Sequence, residues 1–77
     1  MQHNPELTFE INALGKPCPM PLLLLKKALK NQPHPHFLLK ASDPHSQIDV
    51  LRYCELNQLT CTVTSSSEQE LHFFIQR

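Results

Sequence analysis

Glycine is nearly missing from this chain: one residue in 77, Gly15, against seven prolines. Backbone geometry that other residues avoid is therefore assigned to that one position. Long apolar runs are missing too. The longest, Leu22 to Leu25, is far too short to span a bilayer, so no membrane segment is expected. Net charge is absent: seven basic and seven acidic residues cancel, which removes the broad electrostatic attraction that nonspecific nucleic-acid binding relies on. Direct nucleic-acid binding is not expected. The three cysteines are an odd number, so a full set of internal disulfides is excluded, and the spacing of Cys18, Cys54 and Cys61 matches no paired zinc-ligand pattern. His34 and His36 flank Pro35, but no further ligands are spaced to join them, and no metal site is expected. Residues 1–5 hold no charged and apolar signal regions, so a cytoplasmic, reducing location is expected. The length suits one domain over residues 1–77, with the polar residues 1–6 frayed.

What the chain has is concentrated in Gly15-Lys16-Pro17-Cys18-Pro19-Met20-Pro21, where the glycine, three prolines and one cysteine precede a leucine-rich stretch. Pro17 and Pro19 fix their own φ and push Lys16 and Cys18 toward extended geometry. A helix that starts at Pro19 accommodates Pro21 in its first turn, where a missing N–H breaks no intrahelical bond. Cys18 is then the expected N-cap, with the Met20 amide donating to its sulfur. A helix N-terminus stabilises a thiolate, and Lys16 two residues away adds to this, so the Cys18 thiol is expected to be lowered in pKa and reactive. Pro19 and Pro21 keep the sulfur clear of backbone competition.

Around this stretch the chain reads as scaffold. Leu7 to Asn12 alternates apolar and polar, giving a first strand with Leu7, Phe9 and Ile11 inward and a turn from Asn12 to Pro17. Pro19 to Lys30 has helical periodicity, with Leu22, Leu25 and Leu29 on one stripe, widened by Leu24 and Ala28. Its Lys26, Lys27 and Lys30 are either a solvated face or a basic patch for an acidic partner. Met20 and Leu23 are left as an apolar contact beside the cysteine. Two prolines end this helix, and His36 to Ala41 forms a central strand parallel to the first through a right-handed crossover. Ser42-Asp43-Pro44 starts a second helix, with Asp43 as N-cap, running to about Asn57. Its Ile48, Leu51 and Cys54, three apart, mark the buried stripe, with Val50 and Tyr53 at the margins. Leu59 to Thr64 and Glu70 to Gln76 close the chain as an antiparallel hairpin around a polar loop from Ser65 to Gln69. Leu59, Cys61 and Val63 face inward on one strand; Leu71, Phe73 and Ile75 do so on the other. Cys54 and Cys61 are core residues on this pattern. The order is βαβαββ, an α/β two-layer sandwich with two helices on one face of a four-stranded mixed sheet.

Cys18-Pro19-Met20-Pro21, preceded by Ala13-Leu14-Gly15-Lys16-Pro17 and followed by an apolar helix, resembles the CPxP signature of the TusA/SirA-like small sulfur-carrier family, and the likeness runs over nearly the whole chain. The resemblance implies the same fold and a sulfur relay protein, rather than a stand-alone turnover enzyme, in which Cys18 takes up sulfane sulfur as a persulfide. The implied partners are a cysteine desulfurase or other persulfide donor and an acceptor sulfurtransferase, with no cofactor, because the sulfur travels covalently. Lys16, Pro19, Met20 and Pro21 would support the sulfur, and Leu23, Lys26, Lys27 and Arg52 are candidates for docking. Asp43 and Asp49 match positions where the family often has aspartate. Ile48 stands where relatives commonly carry arginine. Relatives are associated with tRNA thiolation, molybdenum-cofactor metabolism and sulfur oxidation, and the residues do not choose among these. The rival expectation is a noncatalytic protein-binding or regulatory module of the same fold, using the Met20 and Leu23 surface.

Overall fold

The structure, a computed structural model, describes residues 7–67 and 69–77, with Ser66 and Ser67 as backbone alone. The expected fraying of residues 1–6 lies outside the described residues. Six elements follow one another: β1 (Thr8–Ala13), α1 (Met20–Asn31), β2 (His36–Ala41), α2 (Ser46–Leu56), β3 (Thr60–Ser67) and β4 (Glu70–Gln76). They form one four-stranded sheet in the order β1-β2-β4-β3. The expected two-layer architecture and element order are observed.

β1 pairs with β2 in parallel, Phe9 opposite Phe37 and Ile11 opposite Leu39. β4 runs antiparallel to both β2 and β3. β3 is therefore parallel to β1 and β2, and β4 fills the gap between β2 and β3 as the return arm of a hairpin. Two strand-helix-strand crossovers follow, and both helices begin where a parallel strand ends, at the same end of the sheet.

Period-two alternation sets which face of the sheet is covered. Ile11, Ala13, Phe37, Leu39, Ala41, Phe73 and Ile75 are buried, and Pro21, Leu25 and Ala28 of α1 and Val50 and Cys54 of α2 close over them. Each fully buried large side chain here contributes about 1.5–3 kcal/mol relative to exposure. On the uncovered face, Leu38, Phe74 and Thr62 lie side by side across three strands, with Lys40 bridging to Glu10 at 2.9 Å.

Several expected boundaries and faces change. β1 begins at Thr8 and includes Ala13, and Leu7, expected inward, is 45% exposed; parallel pairing with β2 starts at Thr8, so Leu7 precedes the sheet. β3 extends through Ser67, with a shift in register between Ser65 and Ser67, where a polar loop was expected; backbone pairing with β4 overrides the weak strand preference of serine.

The buried stripe of α2 is also different. Its buried residues are Ser46, Val50 and Cys54, spaced by four, whereas Ile48 is 62% exposed and Leu51 half-buried. Spacings of three and four share a helix face equally well in a short segment. The crossover sets the rotation, and it turns Val50, not Ile48, to the sheet.

Two end contacts compensate for the shortage of glycine and caps. Gln58 follows the C-cap Asn57 of α2 with φ of 59°, in the left-handed region usually given to glycine after a helix. Its backbone N–H and that of Leu59 turn back to the carbonyls of Glu55 and Cys54. At the other helix end, Arg77 donates to the carbonyls of Leu29, Gln32 and His34 at 2.6–2.9 Å, and its guanidinium lies 5.1 Å from the centre of the Phe37 ring. The last turn of α1 is thereby tied to the far end of β4.

The helix rotation has a direct test in urea unfolding. Val50→Ala is expected to lower stability by about 1.5–3 kcal/mol and Ile48→Ala by no more than about 0.5 kcal/mol. The reverse order would restore the rotation expected from sequence.

Candidate functional site

Proline chemistry shapes the segment between β1 and α1, but the result differs from a simple cap. α1 begins at Met20, its N-cap residue is Pro19, and no side chain caps it. The Cys18–Pro19 peptide bond is cis. The Met20 amide, expected on the Cys18 sulfur, donates instead to the Pro17 carbonyl at 2.8 Å. Pro21 is in the first turn, as expected, and buried. Gly15 has φ of +79°, a left-handed conformation that only glycine adopts without strain.

The segment is instead held from the side, by the connection between β2 and α2. Gly15 N–H donates to Ser42 Oγ at 2.7 Å, and Cys18 N–H donates to Asp43 Oδ2 at 2.8 Å. The Cys18 thiol donates to Asp49 Oδ2 at 3.0 Å. Asp49 comes from the first turn of α2, where a carboxylate is favoured by the helix dipole. Asp43 was expected to be no more than the N-cap of that helix. The helix starts at Ser46, however, and Asp43 serves both sides of the junction: Oδ1 accepts the His45 amide at 2.9 Å while Oδ2 accepts the Cys18 amide. These bonds hold its carboxyl below its ordinary value of 3.8, the Cys18 amide contributing most.

The electrostatics at sulfur run opposite to the expectation of an acidified thiol. The Asp49 hydrogen bond, aided by desolvation and by the charges of Asp49 and Asp43, raises the Cys18 thiol above its ordinary 9.0. The reason is geometric. Cys18 stands before the N-cap and takes no amide of α1, so the positive helix end acts at a distance, while a carboxylate accepts its proton at contact range. Lys16 is exposed.

Cys18 is exposed, and Met20 and Leu23, at 37% and 47% exposure, lie on the first turn of α1 beside it. Ile48, the neighbour in sequence of the sulfur's partner Asp49, is also exposed. Arg52 is exposed one turn further along α2. Lys26 lies over the Tyr53 ring, 5.2 Å from its centre, bridging the two helices. Lys27 faces away, lining a groove of about 290 Å³ with Phe9, Ile11, Leu24 and Ala28 along β1. By helical rise Lys26 and Lys27 begin about 9 and 10.5 Å beyond Met20 along α1. Cys54 is buried, and Cys61 packs against the core. The Cys61 thiol hydrogen-bonds to Cys54, which with burial raises its pKa strongly and keeps it protonated.

A small two-layer α+β protein with one exposed thiol, set where two helices start, is the class defined by this fold and site. Comparison with known proteins narrows it. The family model described as Sulfurtransferase TusA matches residues 9–77, and the chain belongs to that family. The crystal structure of the SirA-like protein from Desulfitobacterium hafniense superposes with a TM-score of 0.78 at 20% identity, over 88% of this chain and 95% of that one, which shows a shared fold. Among the described residues no helix is long and apolar enough to cross a membrane.

Asp49 is the residue whose contact the sequence motif does not announce. Its signal lies in topology: parallel strands joined by helical crossovers bring successive helix starts together at the carboxyl ends of the strands, where ligand sites of such folds gather. For Asp43, the sign of the pH effect follows from a lowered carboxyl pKa. Its stabilisation is present above the unfolded value of 3.8 and lost as pH falls through the lower folded value. Asp43→Asn is therefore expected to lose stability near neutral pH and to show a shallower further loss than the parent below about pH 4, read by urea midpoints across pH.

Proposed function

We propose that this protein is a sulfur carrier in which Cys18 takes sulfane sulfur from a persulfide donor, such as a cysteine desulfurase, and relays it to an acceptor sulfurtransferase. The observation that supports this best is the exposed Cys18 thiol, held by the hydrogen bond to Asp49 within a chain of the TusA family. Cys54 and Cys61, in and against the core, are poorly placed for exchange between proteins.

The chemistry is a sulfur transfer with no net oxidation. Thiolate is the attacking form, and Asp49 is positioned to accept the proton that the Cys18 thiol gives up. The Cys18 sulfur lone pair forms a new bond to the terminal sulfur of the donor's persulfide. The donor's sulfur–sulfur bond breaks, and its electron pair leaves on the donor cysteine, which takes up the proton. Delivery repeats the step with an acceptor thiolate as nucleophile and Cys18 as leaving group. No cofactor enters, and the carrier acts as a stoichiometric relay within a pathway such as tRNA thiolation.

Docking falls to the exposed apolar residues Met20, Leu23 and Ile48, with Arg52 one turn beyond Ile48 on α2. Lys16, exposed in the segment of Cys18, is a candidate support for the sulfur, and Lys27 has a lesser claim to docking because it faces the β1 groove. Exposed Met20 and Leu23 support a second reading, a noncatalytic binding module that uses this surface without sulfur chemistry. Residues 1–77 would act as one domain in either case, in the cytoplasm and without direct nucleic-acid contact.

Incubation with a cysteine desulfurase and cysteine, followed by intact-mass measurement, separates these readings. A reductant-labile gain of one sulfur is expected in the parent protein, in Cys54→Ala and in Cys61→Ser, and no gain in Cys18→Ser. Equal loading of Cys18→Ser would refute the site; absence of loading from several donors, with partner binding kept, would favour the binding module.

A further inference from the structure

The groups acting on the Cys18 sulfur are of one sign. Asp49, from α2, accepts its proton at 3.0 Å. Asp43, from the β2–α2 connection, holds the Cys18 amide and adds its negative charge. His45 is within 3.2 Å of the Asp43 carboxylate and is directed to it rather than to sulfur. Lys16, in the same segment as Cys18, is exposed to solvent, where its charge is screened. An ionised carboxylate only accepts hydrogen bonds, so Asp49 can hold S–H but repels a bare sulfur anion.

Resting on the carrier reading, the geometry points to a second role for Asp49 beyond accepting the Cys18 proton: it distinguishes the empty carrier from the loaded one, holding the bare Cys18 thiol and releasing the side chain once sulfur is attached. In the thiol, Sγ carries a proton and donates it to Oδ2. In the persulfide, Sγ is bonded to Cβ and to the terminal sulfur and has no proton, so the bond to Asp49 has no donor. The terminal sulfur of a persulfide ionises more readily than a thiol, because the negative charge is shared with the adjoining sulfur. As an anion it is repelled by both aspartates. The backbone has little freedom to respond: Pro17 and Pro19 flank Cys18 with fixed φ, and the Cys18 amide stays on Asp43. Rotation about the Cα–Cβ bond remains, and it carries the terminal sulfur away from the Asp49 carboxylate toward the solvent, to which Cys18 is already exposed. An acceptor then meets sulfur that is presented only when there is sulfur to give.

The test uses the full chain, isotope-labelled for NMR, in three states: reduced, capped with methyl methanethiosulfonate, and loaded with inorganic polysulfide. The methyl cap removes the Sγ proton without adding charge. Intact mass and peptide mapping confirm one adduct at Cys18. Both adducts are expected to shift the Asp49 carboxyl carbon and the Ile48 and Asp49 amides, with the Asp43-held Cys18 amide changing least. A second measurement is the pH profile of Cys18 alkylation. In Asp49→Asn the profile is expected to move to lower pH, with a several-fold faster rate at about pH 8, because the raising influence of the carboxylate is gone; a merely structural role would leave the profile in place. A loaded Cys18 with unmoved Asp49 resonances, or an Asp49→Asn profile identical to the parent, overturns the inference alone. Failure of polysulfide to load Cys18, while the methyl cap still frees Asp49, overturns the carrier reading and the inference with it.

Discussion

The parallel pairing of β1 with β2 is the constraint on which the rest depends. Parallel neighbours cannot be joined by a tight turn, so the chain must cross over the sheet by a helix and begin that helix where the first strand ends. β3 is parallel to the same strands, so α2 repeats the operation after β2. Two helix starts are then adjacent at one end of the sheet. Cys18 comes from the first junction, Asp43 and Asp49 from the second, and residues 25 and 31 positions apart meet at 2.8 and 3.0 Å. The site belongs to the topology, and the motif contributes one half of it.

Two influences of opposite sign act on the sulfur, and distance decides between them. A helix N-terminus is equivalent to about half a positive charge spread over unsatisfied amides, and it weakens beyond the first turn. Because the first amide of α1 is spent on the Pro17 carbonyl, Cys18 feels that charge without a direct bond. Asp49 supplies a full negative charge in contact with Sγ. The contact interaction prevails, and the thiol is held protonated. Rigidity serves the same end: the bonds from Gly15 and Cys18 to Ser42 and Asp43 fix a segment that has no regular structure of its own.

Most of the fold was legible because periodicity reports burial directly. The six elements, the central β2, the parallel crossover and the closing hairpin all follow from alternation, helical spacing and proline positions. What was not legible depends on relations between elements. The rotation of α2 could not be read from a segment with Ile48, Val50, Leu51 and Cys54 all available to face inward, and the crossover chose Val50 and Cys54. The same rotation brings Asp49 to the Cys18 sulfur, so the wrong stripe and the unforeseen contact of a carboxylate already noted in the sequence have one cause. Local chemistry misled where it was read too locally: Cys18 looked like a cap because only its chain neighbours were considered, and Asp43 looked complete as a cap because its second oxygen had no visible partner. The exposed Met20 and Leu23 were legible, since residues left over from a helix stripe must face out.

On the proposed reading, a raised thiol pKa is compatible with sulfur carriage and bears on its direction. A less acidic thiol offers less thiolate but a more nucleophilic one, and the thiol's loss is softened when a base is already in contact with the proton. Release has the opposite requirement, since Cys18 must then leave as a thiolate, and leaving is slower for a more basic sulfur. The Asp49 contact offsets this thermodynamically. The S–H···Oδ2 bond exists only in the empty carrier, so delivery regains an interaction that loading gave up, and the resting state drains sulfur toward an acceptor rather than storing it. Placing the thiol against α2 instead of on α1 therefore favours, on this reading, a relay that gives its sulfur up rather than one that stores it.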